Sequence, residues 1–153
     1  SVEDLDPLSR ELLEILCRHP ELADLACERL EPARLENSAA REIYRAICRL
    51  TDSPDGVEYA RVMAELDRPE LKNLWCDLDY WAAAKEEHAA DPPHQRLAAL
   101  LTRWTWDQQD AELRGSLRAL EERPVDEQEE VELLKQILAN QRQRQGLSAP
   151  TDG

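Results

Sequence analysis

The chain has 153 residues, 33 of them acidic and 19 basic, for a net charge of −14, and 42% are hydrophobic. That length suits a single domain with a real core. The acidic excess argues against a nucleic-acid-binding surface, which draws its affinity from Lys and Arg, and against docking on an anionic membrane. Only four residues are Gly, and Leu, Ala, Glu and Arg abound, side chains that lose little rotamer freedom in a helix. Asp6-Pro7 opens a first helix as cap and first helical residue, with Leu12, Leu13, Leu16 and Cys17 at helical spacing. Pro20 starts a second, with Leu22, Leu25, Ala26 and Leu30 on one stripe until Glu31-Pro32 interrupts it. Asn37 or Ser38 caps a third, carrying Ile43, Tyr44, Ile47, Cys48 and Leu50. The cluster Thr51–Gly56 is a turn. A short fourth helix follows with Val57, Ala60, Met63, Ala64 and Leu66, and Pro69 begins a fifth with Leu71, Leu74, Trp75, Leu78, Trp81 and Ala82.

Pro92-Pro93 starts a sixth helix that runs to Glu122, roughly 45 Å at 1.5 Å per residue. Its apolar stripe changes face partway. Leu97, Leu100, Leu101 and Trp104 share one side, whereas Trp106, Leu113, Leu117 and Leu120 point roughly 170° away. A polar waist, Asp107-Gln108-Gln109-Asp110, lies between them. One helix burying opposite faces in its two halves packs on two bodies; the alternative is a continuous bundle wrapped on both sides. Arg123-Pro124-Val125 turns the chain into a seventh helix, where Asp126 and Glu129 have capping-box spacing. Its apparent seam is Val131, Leu134, Ile137 and Leu138, with Leu133 facing away. The expected fold class is all-α: a helical bundle of about five helices, then a long helix that forms a terminal antiparallel helical hairpin. The expected divisions are a bundle at 1–104, a hairpin at 105–145 and a disordered tail at 146–153.

The bundle core is expected from Leu12, Leu13, Leu16, Leu22, Leu25, Ile43, Tyr44, Ile47, Leu74, Trp75, Leu78, Leu101 and Trp104, with Trp81 in the same layer. Trp106 would cover the junction with the hairpin. The four cysteines, Cys17, Cys27, Cys48 and Cys76, contain no C-x-x-C pair and read as reduced, buried thiols. His19, His88 and His94 are scattered without ligand spacing, and His19 before Pro20 reads as a helix end. The acidic set Asp126, Glu127, Glu129, Glu130 and Glu132 spreads around a helix and complements its dipole. No phosphate loop, HExxH or Ser/His/Asp arrangement is visible. No run reaches the roughly 18 apolar residues of a membrane span, no signal peptide opens the chain, and the first residue, Ser1, suggests a piece of a longer protein.

The opening Leu12-Leu13-x-x-Leu16-x-x-His19-Pro20-Glu21-Leu22 resembles the start of the helicase-binding C-terminal domain of bacterial DnaG-type DNA primases. Leu30-Glu-Pro-Ala-Arg-Leu35 and Arg41-Glu-Ile-Tyr-Arg-Ala-Ile47 are similar to the same family, and the likeness covers roughly residues 8–145. The sequence departs from the family in having no Phe; Leu35 would occupy the place of a frequent one. The resemblance implies a module without catalytic residues, metal or cofactor, whose hairpin tethers the primase to the N-terminal domain of the replicative DnaB-type helicase while the bundle modulates unwinding. Primer synthesis would belong to a part of the parent enzyme outside this chain. On that reading the contact falls to Leu113, Leu117, Leu120, Arg123, Val125, Glu129, Glu130, Leu133 and Ile137 on the hairpin. A cytoplasmic chain, monomeric alone, with no direct contact to nucleic acid or membrane is expected. Related readings are the helicase's own N-terminal domain or another adaptor built on this bundle. A reading of a different class, a small metal-dependent helical enzyme, requires carboxylates on the facing stripes, and they lie outside them.

Overall fold

The computed structural model describes residues 1–122 and 126–148, which form an all-α protein with no strand among them. After one 3-10 turn at Val2–Asp4 come α1 (Pro7–Arg18), a 3-10 turn (Pro20–Leu22), α2 (Ala23–Arg29), a 3-10 turn (Pro32–Arg34), α3 (Ser38–Thr51), α4 (Tyr59–Glu65), α5 (Pro69–Glu86), α6 (Pro93–Glu121) and α7 (Glu127–Ser148). The chain divides into two compact units, Ser1–Leu101 and Thr102–Gly153, so α6 contributes to both. Helix α7 runs through Gly146 to Ser148, where a disordered tail was expected to have begun.

Local chemistry sets the helix ends. The Asp6 carboxylate accepts from Ser9 N–H at 3.0 Å, with Pro7 at the first helical position. At the other end of α1, His19 leaves helical geometry (φ −131°, ψ 66°) because Pro20 disfavours it in the preceding residue. Asn37 caps α3 by accepting from Ala40 N–H at 3.0 Å. The turn after α3 closes on Gly56 at φ 74°, a conformation that costs glycine little. The Asp126 carboxylate starts α7 by accepting from Gln128 N–H at 3.1 Å.

In the first unit, α1 packs along α5, and α3 touches α1, α2, α4 and α5. Helix α1 is the central element: Leu12, Leu13, Glu14, Ile15, Leu16 and Cys17 are all buried, as in a helix surrounded by neighbours. Tyr44 on α3 is fully buried, and its hydroxyl donates to the Leu30 carbonyl at 2.8 Å. Trp75 donates to the Tyr59 carbonyl at 3.2 Å and stacks on the Tyr59 ring. Burial forces the Tyr44 hydroxyl and Cys17 thiol far above their ordinary pKa values, and Asp79 beside Cys17 adds to the second shift.

Several core expectations need correction. Leu25 is exposed and Leu22 only half-buried. A 3-10 turn advances about 120° per residue rather than 100°, so Pro20–Leu22 shifts the phase and α2 buries Ala23 and Ala26 instead. Helix α4 turns Tyr59, Val62, Met63 and Leu66 inward, and Ala60 and Ala64 lie outside. Trp81 is 47% exposed. It sits roughly 90° from the middle of the Leu71–Trp75–Leu78–Ala82 stripe, under the Arg10 guanidinium and edge-on to Tyr80. The remaining expected core residues, including Leu74, Leu101 and Trp104, are buried. The cysteines are not four buried thiols. Cys27 on α2 and Cys48 on α3 form a disulfide with Cα atoms 5.8 Å apart, Cys17 is buried and Cys76 exposed. A separation of 21 residues carries no pairing signal, and only the packing of α2 on α3 brings the two together.

Candidate functional site

The candidate site is the antiparallel pairing of α7 with the second half of α6, both within the second unit. Asn140, 7% exposed, donates from Nδ2 to the Trp106 carbonyl at 3.2 Å. Arg144 forms an ion pair with Asp107. Asp110 of the same polar waist accepts from Arg114 Nε at 2.8 Å. The waist therefore meets α7 through Asp107, whereas Asp110 pairs within α6. Toward the turn, Ser116, Ala119 and Leu120 of α6 face Gln128, Glu129, Glu132 and Leu133 of α7 across a groove of about 650 Å³ that Asp126 also lines. A second groove, about 450 Å³, lies between Gln109, Glu112 and Leu113 on α6 and Gln136, Ala139 and Asn140 on α7.

The seam is not the one hydrophobicity suggests. Ile137 is buried, Leu133 is half-buried against α6, and the seam continues through Asn140. Val131, Leu134 and Leu138 are exposed, at 48%, 43% and 52%. Their stripe points roughly 125° from the seam. The expected outward Leu133 and inward Leu134–Leu138 are thus exchanged. The cause is polar matching: Asn140 and Arg144 share a face with Ile137, and their partners are the Trp106 carbonyl and Asp107 on α6.

Of the nine hairpin residues expected to contact a partner, Leu113, Leu117 and Leu120 are half-buried on α6. Leu133 joins Leu120 in the first groove, and Ile137 is occupied by the hairpin's own packing. Glu129 is exposed and Glu130 half-buried. Arg123 and Val125 lie outside the described residues. Among the described residues, no group of three His, Cys, Asp or Glu side chains is placed to hold a metal, and no helix is long and apolar enough to cross a membrane.

The histidine of the opening motif has a defined place. His19 Nε2 lies 2.6 Å from Glu86 Oε1, which also accepts from Arg96 at 3.1 Å. Burial alone would raise the Glu86 carboxyl, but the hydrogen bond and charge of His19, helped by Arg96 and Arg18, hold it below the usual carboxylate range. His19 thereby ties the end of α1 to the end of α5. No protein-family model, curated protein or solved structure matches the chain. Sequence reasoning missed Asn140, the exposed face of α7 and the buried Glu14. A carboxylate inside the apolar run Leu12–Cys17 was the available signal for the last.

Proposed function

We propose that this chain is a protein-docking module, the helicase-binding C-terminal domain of a DnaG-type bacterial primase, which attaches the cytoplasmic primer-synthesising enzyme to the N-terminal domain of the replicative helicase. The observation that carries the reading is the unpartnered apolar face Val131–Leu134–Leu138 on a helical hairpin that forms a compact unit of its own. The Leu12–Leu22 motif at the head of the preceding bundle agrees with it. Apolar side chains grouped on one face commonly mark a protein partner. Burying the remaining exposed half of three such side chains contributes about 2–4 kcal/mol. That is a useful anchor, and the acidic residues around it steer a basic partner.

The binding role thus moves from Leu133 to Leu134 and its two neighbours on the stripe. The test is size-exclusion chromatography with light scattering of this chain with the replicative helicase of the same organism. Co-elution is expected for the unaltered chain and its loss for Leu134→Asp, with the helical circular dichroism of the two matching. Absence of co-elution at micromolar concentrations removes the helicase as partner. Co-elution that survives Leu134→Asp removes the stripe.

A further inference from the structure

The exposed stripe of α7 has a symmetry of its own. Val131, Leu134 and Leu138 are all about half exposed. Glu127 stands four residues before the stripe and Arg142 four residues after it, and both are exposed. At 100° per residue, both lie within about 50° of the middle of the stripe. The face is therefore an apolar centre with an anion at one end and a cation at the other. The two charges are roughly 22 Å apart along the helix, well beyond the screening length of roughly 8 Å in physiological salt, so each end is read separately.

That order selects an occupant. A second α7 laid parallel would set Glu127 on Glu127 and Arg142 on Arg142. Laid antiparallel, with the crossing between Leu134 and Lys135, it sets Val131 against Leu138 and Leu134 beside its own counterpart. Glu127 then meets Arg142 at both ends at once. This is the self-complementary pattern of a two-fold contact, in which residue i meets j and j meets i. The copies, each of net charge −14, repel one another, and the two crossed pairs offset part of that repulsion locally.

We propose that the exposed face of α7 pairs with the same face of a second copy of this chain, antiparallel about a two-fold axis near Leu134. Three half-exposed side chains from each copy make a contact smaller than the roughly 1,200–2,000 Å² of a stable interface. The pair is therefore weak, with a dissociation constant on the order of 0.1–1 mM. At micromolar concentration the stripe is free, so the pairing does not depend on the docking role proposed above and does not obstruct its test.

The test is sedimentation equilibrium of the full chain from about 0.02 to about 1 mM in about 0.15 M salt, with circular dichroism of each variant. The average mass should rise with concentration, and Leu134→Asp should abolish the rise. Glu127→Arg and Arg142→Glu each set like charges together at both ends and should weaken association about tenfold. An equimolar mixture of the two variants restores opposite charges and should associate as the unaltered chain does. Arg142→Lys keeps the charge and should change little, which holds the test open should Glu127→Arg, at the start of α7, lose helicity. A mass that stays monomeric to about 1 mM, a rise that a helical Leu134→Asp preserves, a helical Arg142→Glu that associates like the unaltered chain, or helical reversed variants that stay apart when mixed would each overturn the pairing. Helicase co-elution is read at micromolar concentration on a different complex, so the two readings fail separately.

Discussion

Two neighbouring residues of α7 decide whether the hairpin seam is assigned correctly. Ile137 is 5% exposed and Leu138 is 52% exposed. Truncating a buried Ile to Ala costs about 2–5 kcal/mol through lost transfer energy and the cavity left behind. The apolar residues on the second half of α6, Leu113 and Leu117 among them, are only half-buried, so the site relaxes and about 2 kcal/mol is expected. Leu138→Ala removes a side chain already half in water and gains helix propensity, for a net change within about 0.5 kcal/mol. Amide exchange along α7, measured by mass spectrometry, separates them. Ile137→Ala should accelerate exchange about thirtyfold, since about 1.4 kcal/mol corresponds to tenfold, and Leu138→Ala at most about twofold. Equal acceleration by both, or a larger effect of Leu138→Ala, would show that α7 packs through the Val131–Leu134–Leu138 stripe and refute the seam described above.

Tyr44→Phe leaves the Leu30 carbonyl without its donor and should lower unfolding stability by about 1–3 kcal/mol; an unchanged denaturant midpoint would contradict the buried bond. Cys27→Ser, or reductant on the unaltered chain, opens a loop of 21 residues and should cost about 3 kcal/mol. Identical melting with and without reductant, together with four alkylatable thiols, would exclude the bridge. Because cytosolic thiols are kept reduced, alkylation at the moment of lysis also tests the proposed cytoplasmic setting. The lowered Glu86 carboxyl contributes stability above the ordinary carboxylate range, and that stability is lost as pH falls through its depressed folded-state value. Glu86→Gln should therefore destabilise the chain at neutral pH and converge with the unaltered protein in acid; a gap that persists in acid would refute the linkage.

The helices were legible in the sequence wherever apolar periodicity and caps agreed. Asp6-Pro7, Asn37 and Pro69 each start a helix as their chemistry requires, and the stripes of α1, α3 and most of α5 are buried as read. Helix α6, whose apolar stripe changes face in the sequence, contributes residues to both compact units. Reading failed where something other than hydrophobicity chose the face. A 3-10 turn displaced Leu22 and Leu25, the Tyr59–Trp75 stack turned α4, and the disulfide depends on packing between helices that spacing does not encode.

The hairpin is the clearest of these cases because its misreading bears on function. Its α6 strip carries Asp107 and presents the Trp106 carbonyl, which already accepts within the helix, so a purely apolar α7 face laid there would leave the Asp107 carboxylate without its partner at the contact. Asn140 and Arg144 answer both groups, and they lie on the Ile137 face rather than the Leu134 face. Choosing that register satisfies the polar groups and turns three large apolar side chains outward. The exposed stripe is therefore a consequence of how the hairpin satisfies its own polar waist. A partner that covers the stripe can add apolar burial without competing for the hairpin's seam, which is what a docking element on a thin two-helix support requires.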